Sequence, residues 1–270
     1  YKSCYLDFES FDQAVTGMKT ILLRPVEPER DFGLLAMLFT REQDEPTTEP
    51  GLKTDYEQHK ERIFCLMAAE DDQGDLMGFN WATRSRIDPA KAYFYVIVRP
   101  ERRREGAGSQ LYAAVEQAAL GAGIKKLAIE VRDICPEGLA FAVKHGFSER
   151  THSIGMALDL EAFGDGLYDA TIARLEAEGF RFTTMESLGN TEEAQRQLYA
   201  LNDTAAAETL GSDGSHSWAS FEDFQQSVCQ SDWYIPAGQI VAIDTATGNW
   251  AAMSAITRFT GADYAYNLFT

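Results

Sequence analysis

The segment that most constrains this chain runs from residue 92 to residue 109. An apolar, strand-like stretch over 92–98 leads through Pro100 into Arg103-Arg104-Glu105-Gly106-Ala107-Gly108, and a helical pattern opens at Ser109. A strand that feeds a glycine turn and then the amino end of a helix gathers backbone N–H groups where phosphate oxygens can be held. The turn is not a Walker loop, because no Lys-Ser or Lys-Thr pair follows the glycines. It is not a dinucleotide-binding start either: it follows several strands, and its spacing is not GxGxxG. The segment predicts an α/β framework with a site for a phosphate-bearing ligand.

Around it, apolar spacing predicts a strand over 21–26, a helix over 30–40 and a second helix over 53–62. Strands follow over 63–69 and 76–84, joined by the polar turn 70–75, and then over 92–98. Leu111, Val115 and Ala118 define one face of a helix over 108–119, which Gly121 and Gly123 end. A buried-type strand over 126–131, a short helix over 137–144 and a last strand over 147–160 complete a mixed α/β domain, assigned here to residues 18–160. The first 17 residues precede that pattern, and Met18 reads as a natural start.

A second unit is expected over 165–270. Its pattern is a helix over 167–178, a strand over 180–185, helices over 191–205 and 221–226, and strands over 240–244, 250–257 and 264–269. Residues 76–81 and 93–98 correspond in pattern to 249–254 and 264–269, which favours duplication of one fold.

Composition narrows the function. The 45% hydrophobic content is enough for real cores, and no run approaches the ~18 apolar residues of a membrane span. A formal charge of −18 argues against a nucleic-acid backbone as partner. Cys4, Cys65, Cys135 and Cys229 form no CxxC pair and no HExxH is present, so reduced thiols in a cytoplasmic protein without a metal site are expected.

On these residues the chain resembles the GCN5-related N-acetyltransferase family, and its layout is similar to tandem-domain members that include mycothiol-synthase-like proteins. The family signature is Gln or Arg, two residues, Gly, one residue, then Gly or Ala. Arg103 through Gly108 satisfies it, with Val98 and Pro100 as lead-in and Leu111 following at the helical offset. Residues 133–147 resemble the second motif, which closes on Gly146-Phe147. Two departures stand out: Ala142 lies where many relatives carry a tyrosine that protonates the leaving thiolate, and Asp133 lies near a frequent asparagine. The second copy reaches Thr270 before its own phosphate loop, so either the native chain continues or that copy is incomplete.

The resemblance implies tandem acyl-CoA N-acyltransferase folds, each a central mixed, mainly antiparallel sheet flanked by helices, with acetyl-CoA as donor. Arg103, Arg104, Glu105, Gly106, Ala107, Gly108 and Ser109 would cradle the pyrophosphate, with Asp133 nearby. Pantetheine would lie between residues 95–98 and 128–131, and a backbone N–H at Ile97 or Val98 would polarise the thioester carbonyl. The acceptor would be a primary amine of a small molecule or a peptide amino group, and the oligomeric state stays open.

Such an amine must lose a proton to attack, and Glu130 is the candidate to take it. A one-residue slip in strand register would turn Glu130 to the opposite face. Tyr93 and Tyr95 share a face under strand alternation and either orient substrate, act as an acid, or pack as aromatics. Asn80 and Trp81 are expected to line the acceptor pocket. Cys135 and His145 read as helix-end residues rather than catalytic ones. The alternative function is a coenzyme-A-binding structural or regulatory domain without turnover, with catalysis in a completed second domain.

Overall fold

The computed structural model describes residues 2–7, 21–43, 46–86, 88–208, 218, 220–231, 233–258 and 263–269. The expected start at Met18 and the end at Thr270 lie outside them. The chain divides into two compact units, 1–156 and 157–270.

The first unit is built on a seven-stranded sheet in the order β2-β3-β4-β5-β6-β1-β7. Its strands are β1 (Lys2–Asp7), β2 (Leu22–Pro25), β3 (Ile63–Glu70), β4 (Leu76–Arg84), β5 (Lys91–Val98), β6 (Lys126–Val131) and β7 (Ser148–His152). All neighbours are antiparallel except β5 and β6. Helices α1 (Pro28–Glu42) and α2 (Glu49–His59) cover one face. There Phe32, Leu35, Phe39 and Leu52 pack with Phe79, Trp81 and Ile97 of the sheet. Helices α3 (Ala107–Gly121) and α4 (Pro136–Lys144) cover the other, where Tyr112, Val115 and Ala142 meet Phe94, Leu127, Ile129 and Val131. The period-2 alternation along β5 and β6 thus sends Ala92 and Phe94, or Leu127, Ile129 and Val131, to α3 and α4. The intervening residues are left for the α1 face.

Two expectations need correction. The strand foreseen over 147–160 ends at His152, and residues 153–160 join no strand ladder among the described residues. Their alternating Ile154, Met156, Leu158 and Leu160 are exposed. The first 17 residues are not a bare lead-in: β1 inserts between β6 and β7, with Cys4 and Leu6 buried in the α3/α4 core. Its contribution was hidden because pairing across more than a hundred residues leaves no local sequence pattern.

An ion network anchors α1 against the sheet edge. Arg24 donates to Asp31 at 2.7 and 2.8 Å and to Glu70 at 2.9 Å, while Arg30 reaches Glu70 at 2.5 Å. Burial alone would raise the Asp31 pKa. The Arg24 hydrogen bonds, the Glu27 N–H at 2.8 Å and the charges of Arg24 and Arg30 outweigh it and hold the carboxyl below its ordinary value. A carboxyl depressed on folding stabilises fully above its unfolded pKa, and that contribution is lost as pH falls through the folded one. Denaturant midpoints should therefore hold from neutral pH down to about 4 and fall below it, less steeply in Asp31→Asn.

Gly78 of β4 sets how closely β5 lies beside it. A Cβ there would collide with the Ile97 carbonyl oxygen and come within 2.9 Å of Val98 Cα, both backbone atoms. Gly78→Ala should cost about 2–3 kcal/mol in urea denaturation by forcing the two strands apart.

The second unit has a four-stranded antiparallel sheet in the order β11-β10-β9-β8, formed by β8 (Phe180–Thr184), β9 (Gln239–Asp244), β10 (Trp250–Thr257) and β11 (Tyr266–Phe269). Its helices are α5 (Asp169–Ala177), α6 (Glu192–Glu208) and α7 (Phe221–Phe224), the last running on into a π turn at Gln225–Cys229. Thr191 Oγ1 accepts the Ala194 N–H at 3.3 Å at the start of α6, and Ser220 accepts that of Asp223 at 3.2 Å at the start of α7. Leu198, Phe221 and Phe224 pack on Val241, Ile243 and Met253. The run β8-α6-α7-β9-β10-β11 repeats the connectivity β2-α1-α2-β3-β4-β5.

Candidate active site

β5 leaves the sheet core at a fork. Its parallel ladder with β6 covers only Lys91, Ala92 and Tyr93 against Lys126, Leu127 and Ala128, yet β5 runs on to Val98 and β6 to Val131. Past these pairs no strand ladder continues on that side of β5 among the described residues. Arg99 donates its N–H to Met77 O across β4, and strand alternation therefore turns Val98 the other way, toward the β6 side. The Val98 carbonyl agrees, since it accepts from Arg103 Nε at 3.2 Å. Ile97 has its carbonyl against β4 at Gly78. Of the two backbone donors expected from sequence, Val98 faces the fork and Ile97 does not.

Beyond Val98 the chain turns through Pro100–Arg102 into the glycine loop, and α3 begins at Ala107. Arg104 (φ 66°) and Gly106 (φ 102°) are both left-handed. Such residues curl a loop so that successive N–H groups converge. Gly106 caps α3 without a side-chain hydrogen bond, and the first intrahelical bond of this turn is Gln110 N–H to Gly106 O at 3.2 Å. By helix geometry the N–H groups of Ala107, Gly108 and Ser109 have no intrahelical acceptor, and the first turn carries no acidic residue. A Cβ at Gly108 would meet Phe141 at 3.4 Å and Val98 at 3.6 Å, ordinary contacts. The signature's tolerance of alanine there has that physical basis.

The loop's cations differ in their engagement. Arg102 bridges Asp71 at 2.7 Å and Glu105 at 3.1 Å, which fixes the loop to the β3–β4 turn. Arg103 is held by Glu42 at the end of α1 (2.8 Å) and Glu137 in the first turn of α4 (3.2 Å). Arg104 is exposed and has no ion-pair partner among the described residues. Arg103 thus braces the loop, and Arg104 keeps a free guanidinium beside it. Glu42 and Glu137 were not legible as partners, because both lie on helices remote in sequence.

Past the fork, Glu130 occupies the face opposite Ile129 and Val131, which point to α3 and α4. Tyr93 and Tyr95 likewise alternate with Ala92 and Phe94 and so share that face with Glu130. Tyr93 is 41% and Tyr95 39% exposed, and Tyr95 meets Phe39 of α1 edge-on at 5.3 Å. An exposed carboxylate and two phenols therefore share the α1 face of the sheet.

Asn80 lies on the opposite face, and Trp81 shares the Tyr95 face but is buried beneath α1 and α2. Asn80 is fully buried, accepting from Met67 N–H at 2.8 Å and donating to Leu111 O at 2.8 Å. Trp81 is 5% exposed among Phe32, Phe39 and Tyr56. Their polarity and aromaticity serve the core, since a central strand is covered on both sides. Asp133 lies past β6 and accepts from His152 at 3.1 Å, which holds its carboxyl below the usual range. Cys135 caps α4. His145 sits with its ring 4.4 Å from both Tyr112 and Phe141, and burial lowers its pKa. Ala142 is 2% exposed in the α3/α4 core, so that position brings no hydroxyl to the fork. No cluster of metal-binding side chains occurs among the described residues, and no described helix is long and apolar enough to cross a membrane.

Residues 33–147, which contain the fork, the glycine loop and α4, match the family model described as acetyltransferase (GNAT) family. Two solved structures overlay on most of the chain. One is a GCN5-related N-acetyltransferase from Sphaerobacter thermophilus, with a TM-score of 0.59 and 15% identity over 92% of this chain and 74% of that one. The other is a GCN5-related glucosamine N-acetyltransferase region in a fungal multi-domain GH3 beta-N-acetylglucosaminidase, with a TM-score of 0.60 and 16% identity over 93% of this chain and 29% of that one. At these identities the likeness is one of fold: a large, mostly antiparallel sheet flanked by helices, with a second sheet beyond it. No curated protein matches the chain.

Proposed function

We propose that the first unit, whose residues 33–147 match the acetyltransferase (GNAT) family model, transfers acetyl from acetyl-CoA, the donor that family uses, to a primary amine by direct attack. The observation that carries this reading is the fork: one strand end presents the Val98 N–H, the loop beyond it supplies left-handed Gly106 and the α3 amino end, and Glu130 with two phenols stands on the adjoining face.

The residues present suit the donor. Arg104, Gly106, Ala107, Gly108 and Ser109 would hold its pyrophosphate through backbone N–H groups and one free guanidinium. The parted edges of β5 and β6 would take the amides of its pantetheine arm. The bound thioester supplies an activated acyl group. Val98 N–H, set by the ladder to β4, would donate to the carbonyl oxygen as negative charge grows there. Glu130, exposed and therefore reachable through water, would take the proton of an acceptor ammonium so that the neutral amine attacks. Tyr93 and Tyr95 would orient the acceptor and are the phenols nearest in register to return a proton. The acceptor is a small-molecule amine or a peptide amino group, and the strong net negative charge favours approach of a cationic one.

The second unit, with its repeated connectivity, is proposed as a related fold that contributes no donor loop of its own within 165–270. A second reading, a coenzyme-A-binding domain without turnover, is favoured by the burial of Ala142 where a phenol would otherwise stand. Acetyl-CoA thiol release over a panel of amines separates the two. Amine-dependent release supports the transferase, and tight cofactor binding with no release above background for any amine supports the binding domain.

A further inference from the structure

Lys91 opens β5 on the same face as Tyr93 and Tyr95, and it is 6% exposed. Its Nζ donates to the Tyr5 hydroxyl at 3.2 Å and lies 4.8 Å from the Tyr5 ring centroid and 4.9 Å from that of Tyr93. No carboxylate pairs with it among the described residues. The register explains how the two rings come to flank one ammonium. Tyr93 of β5 is aligned with Ala128 of β6, and Ala128 is aligned with Tyr5 of β1. The small Ala128 side chain leaves a gap between the phenols, and the Lys91 ammonium fills it. Two residue pairs further along, Ser3 of β1 is aligned with Glu130.

A nearly buried ammonium is costly without a partner. Burial works to discharge Lys91, yet the hydrogen bonds of the Tyr93 and Tyr5 phenols outweigh it and hold its pKa above the ordinary value. The cation in turn fixes the rings, since each is held on a charge it cannot move away from without loss. Tyr93 is thus the part-exposed end of a clamp whose other end is β1.

We propose that Lys91 is a positioning residue for the acceptor: held by Tyr5 of the N-terminal strand, it fixes the Tyr93 phenol beside Glu130 on the acceptor face. The proposal rests on the reading of Tyr93 and Glu130 as acceptor-side groups. It makes the amino-terminal strand part of the acceptor site, while the donor loop, reached from the other end of β5, is independent of it.

The test compares wild type with Lys91→Met, Lys91→Arg and Tyr5→Phe, using an amine that supports thiol release and calorimetry with acetyl-CoA. Lys91→Met should raise the acceptor KM about tenfold with kcat changed less than about threefold, and Tyr5→Phe should raise KM about threefold. Lys91→Arg, which keeps a cation between the rings, should recover most of the loss, and acetyl-CoA affinity should stay within about twofold throughout. An acceptor KM unchanged in both Lys91→Met and Tyr5→Phe overturns the proposal, as does a parallel loss of acetyl-CoA affinity. Arginine no better than methionine overturns the role of charge. If Lys91→Met does not fold, Tyr5→Phe and Lys91→Arg carry the test alone. Failure of wild type to bind acetyl-CoA would instead bring down the proposed function.

Discussion

Gly106→Val should lower acetyl-CoA affinity by about 100-fold while leaving the protein folded. Gly106 holds φ 102° at the cap of α3, a conformation that costs a side-chain-bearing residue about 1–2 kcal/mol and a β-branched one more. That strain accounts for about tenfold, and the remainder comes from the valine side chain occupying the approach of the phosphates. Gly106→Asn separates the two contributions, because asparagine tolerates left-handed backbone. It should bind with intermediate affinity. Gly106 lies in a part-exposed loop and the core clusters do not include it, so thermal midpoints should move by only a few degrees. A folded Gly106→Val variant that titrates acetyl-CoA like wild type would remove the loop from the binding site.

The second large effect is expected at Glu130. Replacing it with glutamine keeps the shape and the strand but removes the proposed proton acceptor, so kcat should fall about 100-fold or more with acetyl-CoA affinity unchanged. Because Glu130 is exposed on β6 while its neighbours Ile129 and Val131 are buried, the substitution should leave stability within about 0.5 kcal/mol. Steady-state kinetics across pH, alongside denaturant melts, check both halves. A kcat within threefold of wild type would reassign the proton to solvent or to one of the phenols.

The strand-loop-helix from residue 92 to residue 109 was legible because every part of it is local: alternation marks β5, glycines mark the left-handed turn, and Leu111 with Val115 marks the buried stripe of α3. The same alternation gave the shared face of Tyr93 and Tyr95, and with it Lys91 two residues earlier was open to reading as a third member. Glu130 needed one more fact, the register of β6, which the burial of Leu127, Ile129 and Val131 supplies.

Features that depend on distant segments stayed hidden. Asn80 and Trp81 look like pocket residues in isolation, but α1, α2 and α3 cover β4 from both sides and convert an amide and an indole into core. Arg103 fits a phosphate signature, and only the folded chain brings Glu42 and Glu137 to it. β1 is the extreme case. Its six residues pair with β6 and β7, more than a hundred residues away, and no periodicity in so short a segment announces that partnership. The overlong strand expected through 153–160 is the converse, since its alternation continues while no ladder among the described residues does.

Separating donor from acceptor elements also assigns different consequences to different substitutions. On the proposed function, Gly106 would act on the donor, Lys91 and Tyr5 on the acceptor, and Glu130 on the proton between them. The measurement that tests the central claim most directly is a crystal structure of the chain grown with acetyl-CoA. The account predicts density for the pyrophosphate at the backbone of Gly106 to Ser109 and for the thioester carbonyl within hydrogen-bond reach of Val98 N–H. Density for the cofactor elsewhere, with the fork between β5 and β6 empty at saturating acetyl-CoA, would contradict it.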